Sequence, residues 1–162
     1  MAIVYLGLGS NIGDRMANLG AAVAALAGTA AVEACSRVYE TEPVHVIDQP
    51  AFLNMAIQVR TLLAPQPLLG AVKAIERDLG RTQSVRWGPR LIDIDILLYD
   101  GLVVDEDGLT IPHPRLAERR FALAPLADIA PAAAHPLQRR TVAELLAALP
   151  AVEAVTVVAE RI

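Results

Sequence analysis

Two acids, Asp93 and Asp95, stand just after a segment carrying Arg81, Arg86, Trp87 and Arg90, and upstream of His113 flanked by Pro112 and Pro114. These are the residues whose types and spacing could do chemistry. The acids lie in Leu91-Ile-Asp-Ile-Asp-Ile-Leu-Leu98, which reads as a strand. Side chains alternate across a strand, so Asp93 and Asp95 share one face while Ile92, Ile94 and Ile96 share the other. Carboxylates at i and i+2 stand roughly 7 Å apart, near enough to share one cation or to hold a close metal pair. Mg²⁺ suits such a pair, because it is held by one or two carboxylates with phosphate oxygens filling the remaining positions. The upstream arginines would then meet the same phosphates, since planar guanidinium groups bind oxyanions in forked pairs. An isolated Asp-x-Asp has a plainer reading, as a solvated strand face or as charge guarding a sheet edge. The arginines, Trp87 and Pro112-His113-Pro114 together shift the balance toward a phosphate site.

A chain of 162 residues suits one domain with a sizeable core, and no linker, repeat or low-complexity tail divides 1–162. At 54% hydrophobic and 20% charged it reads as a soluble globular protein. A formal net charge of −4 argues against a broad nucleic-acid surface. Lys73 is the only lysine, which compositional bias alone could produce. Cys35 is the only cysteine, so neither an intrachain disulfide nor a cysteine metal site is possible. The N-terminus passes straight into Ile3-Val-Tyr-Leu6 without a basic leader, and no apolar run reaches membrane-spanning length. The expectation is a cytoplasmic monomer, or at most a small oligomer, that binds neither membrane nor nucleic acid.

The elements that must position these residues follow from periodicity. Ala2–Leu8 reads as a buried strand. Gly7-Leu-Gly-Ser-Asn-Ile-Gly13 misses the dinucleotide fingerprint, because Ile12 stands where glycine is needed, and reads instead as a turn into a helix. That helix spans 15–27, with Met16, Leu19, Val23 and Leu26 on its core face, Asp14 capping its start and Gly28 its end. Val32–Tyr39 and Phe52–Leu63 read as strands, the second with Leu53, Met55, Ile57 and Val59 on one face and Phe52, Asn54, Gln58 and Arg60 on the other. A helix begins at Ala64-Pro-Gln-Pro67 and runs to Leu79. Glu76 borders its apolar stripe and needs a partner, for which an arginine of the following loop is the candidate. Asp107-Gly108 marks a hairpin, Thr141-Val-Ala-Glu144 a capping box, and Val152–Val158 an edge strand. The stretch up to Pro131 reads as irregular or short helix. Cys35 reads as a small core residue, and His45 and His135 as surface residues. The order strand–helix–strand–strand–helix–strand is the ferredoxin-like α+β pattern, an antiparallel sheet with helices on one face, followed by a C-terminal hairpin and helix.

Four segments resemble one known family: Tyr5-Leu-Gly-Leu-Gly-Ser-Asn11, Phe52-Leu-Asn-Met-Ala56, Arg86-Trp-Gly-Pro-Arg-Leu-Ile-Asp-Ile-Asp-Ile96 and Ile111-Pro-His-Pro-Arg-Leu116. The family is 6-hydroxymethyl-7,8-dihydropterin pyrophosphokinase, the folate-pathway enzyme that moves pyrophosphate from ATP to a pterin alcohol. The resemblance extends to about Leu149, and its most specific block runs from Arg86 through Asp95. It implies a site for Mg²⁺, two ions with ATP, on Asp93 and Asp95. It implies that Arg81 and Arg90 neutralise the triphosphate, and that Arg86, Trp87, His113 and Arg119 act on the ATP side or in loop closure. Lys73, Glu76, Gln83, Ile96 and Thr110 match further ATP-side positions. Phe52 and Phe121 match the aromatics that sandwich the pterin, Asn54 its polar anchor, and Thr41, Glu42 and Val44 the backbone wall along its edge. Gln83 stands where some members carry an arginine, the segment from Arg81 to Trp87 is one residue shorter, and Lys73, Gly108 and Pro114 also depart from the pattern. From the residues alone, a non-catalytic nucleotide-sensing domain and a metal-dependent hydrolase built on the same acids stay open.

Overall fold

A computed structural model describes residues 1–42, 50–80, 91–151 and 154–162. At its centre is β1 (Ala2–Ser10), with Val4, Leu6 and Leu8 buried. The strand continues through Gly7, Gly9 and Ser10, where the sequence suggested a turn had begun. It pairs antiparallel with β4 (Phe52–Thr61) along its whole length and with β5 (Asp93–Tyr99) from Val4 to Gly9. Ladder bonds on both flanks satisfy the backbone and override the weak strand preference of glycine.

Helix α1 (Arg15–Ala27) begins where the Asp14 carboxylate accepts the Ala17 amide at 3.0 Å and stops at Gly28. Helix α2 (Pro65–Leu79) has proline in its first turn and ends at Gly80. Leu19 and Leu26 of α1 and Leu68, Val72 and Ile75 of α2 pack against Leu6, Leu8, Met55, Ile57 and Ile94. Each such side chain contributes about 1.5–3 kcal/mol by leaving water.

Where the sequence reads as one strand over Val32–Tyr39, the chain makes two, β2 (Ala31–Cys35) and β3 (Val38–Thr41). They are offset at Ser36, whose hydroxyl accepts the Ala56 amide at 2.8 Å while its own amide donates to the Ala56 carbonyl at 2.9 Å. Thus β2 pairs with the C-terminal half of β4 and β3 with its N-terminal end. Cys35 ends an edge strand whose alternate residues face outward, and it is exposed, contrary to its expected place in the core.

The sheet order is β10-β3-β4-β1-β5, with β10 (Val155–Ala159) supplying the expected edge. The βαββαβ core carries α1 and α2 on one face. The C-terminal additions cover the other face: α3 (Arg120–Ile129) and α4 (Val142–Ala148) set Leu123, Leu126, Val142 and Leu145 with Ala56 and Leu97. Helix α3 is regular over ten residues where the sequence reads as irregular or short helix, because Pro125 sits inside it and no side chain caps its start. The hairpin of β6 (Val104–Glu106) and β7 (Leu109–Ile111) turns at Asp107-Gly108, with Gly108 at φ +77°. The Thr141–Glu144 capping box opens α4. A two-residue ladder, β8 (Ala134–His135) with β9 (Arg140–Thr141), precedes it. His135 is buried there at 5% exposure, not on the surface. Its Nδ1 accepts the amides of Leu137 and Gln138 at 3.2 and 3.1 Å, which the tight turn would otherwise leave without a partner.

The far end of α3 is tied to the sheet by Asp128. Its carboxylate accepts Nε and Nη2 of Arg37 at 3.1 and 3.0 Å and the Tyr39 hydroxyl at 2.8 Å. Burial works against this carboxylate, but the bonds from Arg37 and Tyr39 outweigh it and hold its pKa below the ordinary range. Burial and the neighbouring Asp128 push the Tyr39 hydroxyl up to about 12. Asp128→Asn is expected to cost about 1 kcal/mol at neutral pH, read as a lower urea midpoint. The stabilisation belongs to the ionised acid, so it is complete above the ordinary value of 3.8 and lost as pH falls through the lower native value. The gap between wild type and variant should therefore close in that acid window; a gap unchanged throughout the acid titration would refute the role.

Candidate active site

Strand β5 alternates as expected. Ile92, Ile94 and Ile96 lie in the core beneath α1 and α2, and Asp93 and Asp95 are half-buried on the opposite face. Strand pairing decides what stands beside the acids. Gly9 is opposite Asp93 on one flank and Asn54 on the other, while Gly7 is opposite Asp95 and Ala56. Directly opposed residues share a face, so Asn54, Gly9 and Asp93 form one row across the sheet. Tyr39 extends that row beyond Asn54, and Thr41 lies opposite Phe52. With strands about 4.8 Å apart, Asn54 and Asp93 are two spacings from one another across glycine alone. A Cβ on Gly9 would come within 3.0 Å of Asn54 Oδ1 and 3.7 Å of the Phe52 ring; one on Gly7 would meet Leu97 at 3.3 Å. Gly9 therefore leaves a gap beside Asn54 and Phe52, and Gly7 makes room for the buried Leu97 side chain, roles the sequence reading missed. The available signal was their i, i+2 spacing within an apolar strand.

On one side of this gap Asn54 is buried, and its Nδ2 donates to Thr41 Oγ1 at 2.8 Å. That leaves Oδ1 as an acceptor toward the Gly9 gap. Phe52 borders the same gap. Phe121 lies in the first turn of α3, with the Arg119 guanidinium 5.3 Å from its ring centre. Glu42 follows β3 and is exposed.

On the other side, His113 and Arg119 gather near Asp95. The His113 amide donates to the Leu97 carbonyl at 3.0 Å, and its Nδ1 accepts the Arg115 amide at 3.2 Å. With Nδ1 accepting, the neutral ring carries its proton on Nε2, which can donate to a ligand. Burial pushes the His113 pKa down; the Asp95 carboxylate opposes this, and Arg119 and Arg115 reinforce it. Burial and then Arg115 likewise lower Arg119, against Asp95 and Glu118, yet a guanidinium remains charged.

At the outer edge of β5, Glu76 accepts the Ile94 amide at 2.9 Å and pairs with Lys73 at 2.9 Å. The Glu76 side chain is only 12% exposed, so these are the partners its burial demands. The arginine expected to brace it belongs to 81–90, outside the described residues. Ile96 points into the core, away from the acids, and Thr110 is exposed on β7 opposite Asp105. Val44, Arg81, Gln83, Arg86, Trp87 and Arg90 also lie outside the described residues, as does His45. Among the described residues no group of three or more His, Cys, Asp or Glu could hold a metal. A pair of carboxylates is the protein share of a Mg²⁺ site completed by phosphate.

Three comparisons with known proteins bear on this arrangement. Residues 5–131 match the family described as 7,8-dihydro-6-hydroxymethylpterin-pyrophosphokinase. A 2-amino-4-hydroxy-6-hydroxymethyldihydropteridine pyrophosphokinase of Bacillus subtilis is 52% identical over 129 residues, covering 78% of this chain and 77% of the relative. One of the same description from Aquifex aeolicus is 43% identical over 144 residues, covering 89% of this chain and 90% of the relative. The crystal structure of Plasmodium falciparum HPPK-DHPS shares the fold at a TM-score of 0.76 and 17% identity. That match covers 90% of this chain, which spans only 44% of the Plasmodium one. The family match over most of the chain, and the close relatives matched over most of their own length, settle the affiliation: this chain belongs to the 7,8-dihydro-6-hydroxymethylpterin-pyrophosphokinase family.

Proposed function

We propose that this chain carries out its family's transfer, pyrophosphate from ATP to 6-hydroxymethyl-7,8-dihydropterin with release of AMP, along the row Asn54–Gly9–Asp93. The observation that carries the reading is that row: a buried amide at one end, an acid at the other, and glycine between. The pterin lies between Phe52 and Phe121, because a flat heterocycle is best held by aromatic faces and by hydrogen bonds along its edge. Asn54 Oδ1 accepts from a ring-edge N–H, and the backbone of Thr41, Glu42 and Val44 reads the remaining edge. The hydroxymethyl arm then runs over Gly9 toward Asp93 and Asp95.

ATP occupies the β5 side. His113 Nε2 and the Arg119 guanidinium contact its phosphates, with Arg81, Arg86 and Arg90 neutralising the rest and Trp87 and Gln83 beside them. Lys73, Glu76, Ile96 (through its backbone, since its side chain is in the core) and Thr110 complete the nucleotide side. The half-buried pair Asp93 and Asp95, on one face beside the gap at Gly9, fits Mg²⁺. Two such ions would supply charge neutralisation on the phosphates and a lowered pKa for the attacking alcohol. The chain's own residues hold both substrates in line, which is most of what phosphoryl transfer requires. Asp95 is the candidate to receive the alcohol's proton. We read residues 1–162 as one catalytic domain acting as a monomer in the cytoplasm. The single sheet shared by both apolar clusters supports the one domain, and among the described residues no helix is long and apolar enough to cross a membrane.

The direct test is AMP release with ATP, Mg²⁺ and the hydroxymethyl dihydropterin; a folded sample giving no pterin-dependent AMP rejects the assignment. Asp95→Ala should lower kcat by about a hundredfold or more with an unchanged melting temperature, and near-normal turnover would remove the acids from the metal site. Chelation of divalent ions should abolish turnover and Mg²⁺ restore it. Gly9→Ala should raise the KM for the pterin by about tenfold with little change for ATP, because the added methyl crowds Asn54 Oδ1. Equal effects on both substrates would show that the gap serves the fold and not the pterin.

A further inference from the structure

Arg15 is the first residue of α1, directly after the Asp14 cap, where a positive charge opposes the helix dipole. Its guanidinium reaches away from the helix. Nη1 donates to Glu40 Oε2 at 3.0 Å and to the Ala51 carbonyl at 2.7 Å. Glu40 is in β3 and Ala51 immediately precedes β4, and between them lies the last rung of that ladder, Thr41 opposite Phe52. Strand alternation puts Glu40 on the α1 face while Tyr39 and Thr41 share the face of Asn54. A single nitrogen beneath the sheet thus joins the two strands whose upper surface carries Thr41, Phe52 and Asn54. The side chains of Arg15 and Glu40 are 29% and 37% exposed, so the contact is partly shielded, and its bond to a carboxylate is charge-assisted.

We infer that Arg15 is a positioning residue for the pterin half of the site. It clips β3 to the entry of β4 and thereby fixes Thr41 against Phe52 and, through Thr41 Oγ1, the amide of Asn54. The inference rests on the proposed function above. Asp93 and Asp95 stand on β5, across β1 from the β3–β4 pair that this clip joins. Loosening the clip therefore acts on one substrate and not the other.

The test is steady-state AMP release by the full chain, with each substrate varied at saturation of the other. Arg15→Ala is expected to raise the pterin KM about tenfold while leaving the ATP KM within about twofold, since small misplacements of a positioning group are costly. Arg15→Lys can still donate from one nitrogen, one bond shorter, and should recover part of the loss. Glu40→Ala should reproduce Arg15→Ala, and the double variant should be no worse than either single one. Arg15→Glu separates the clip from a helix effect. Glutamate suits the start of α1, yet it faces Glu40, so it should give the largest rise in pterin KM. A wild-type pterin KM in Arg15→Ala, parallel rises for both substrates, or an Arg15→Glu better than Arg15→Ala would each overturn the inference while the function stands. If Arg15→Ala does not fold, Arg15→Lys against Arg15→Gln decides by the same KM ratio. A wild-type chain that releases no pterin-dependent AMP overturns the function, and the clip with it.

Discussion

Strand β1 is held on both flanks from Val4 to Gly9, and that double pairing decides which residues of distant segments become neighbours. A slip of one residue on either flank would turn Asp93 and Asp95, or Phe52 and Asn54, into the core. The register resists such a slip because Val4, Leu6 and Leu8 must stay under α1 and α2 with Met55, Ile57, Ile94 and Ile96. Hydrophobic burial on one face thus fixes polar geometry on the other, and Gly9 keeps that polar face open beside Asn54.

The two layers of helix do different work. Helices α1 and α2 bury the core face and reach the sheet with polar groups at its ends: Arg15 under β3 and β4, Glu76 at the outer edge of β5. Helix α3 lies on the opposite face, and its start carries Phe121 with Arg119 beside it. Its end is held by the Asp128 carboxylate, bonded to Arg37 and Tyr39. The step at Ser36 that splits β2 from β3 makes room for this arrangement, since Arg37 and Tyr39 follow directly from it. A ring and a cation are therefore brought over the sheet by an element whose far end is fixed by an ion pair.

The chemistry divides along β1. The proposed pterin half rests on β3 and β4, where buried Asn54 has one amide bond committed to Thr41. The proposed phosphate half rests on β5, the segment after β7 and the turn before α3, where charges of both signs face each other around Asp95. Neutral His113 beside charged Arg119 offers one donor without charge and one with it, a combination suited to an oxyanion that changes charge distribution during transfer.

Local pattern carried much of this protein. The alternation in Leu91–Leu98, the core stripes of α1 and α2, the Asp14 and Thr141 caps and the Asp107-Gly108 hairpin follow from rules that act within a few residues, and each stands in the structure. The resemblance to the family was legible in the Arg86–Ile96 block and the Ile111–Leu116 segment, and the family match spans 5–131. What sequence could not supply depends on residues far apart in the chain. The gap at Gly9 exists only once β4 and β5 pair with β1, and Glu76 finds the Ile94 amide only across the packed sheet. Burial of His135 needs the β8–β9 turn around it, and exposure of Cys35 needs the break at Ser36. Periodicity states which face a side chain takes; only the packed sheet, with every ladder bond and apolar contact satisfied at once, states what that face looks upon.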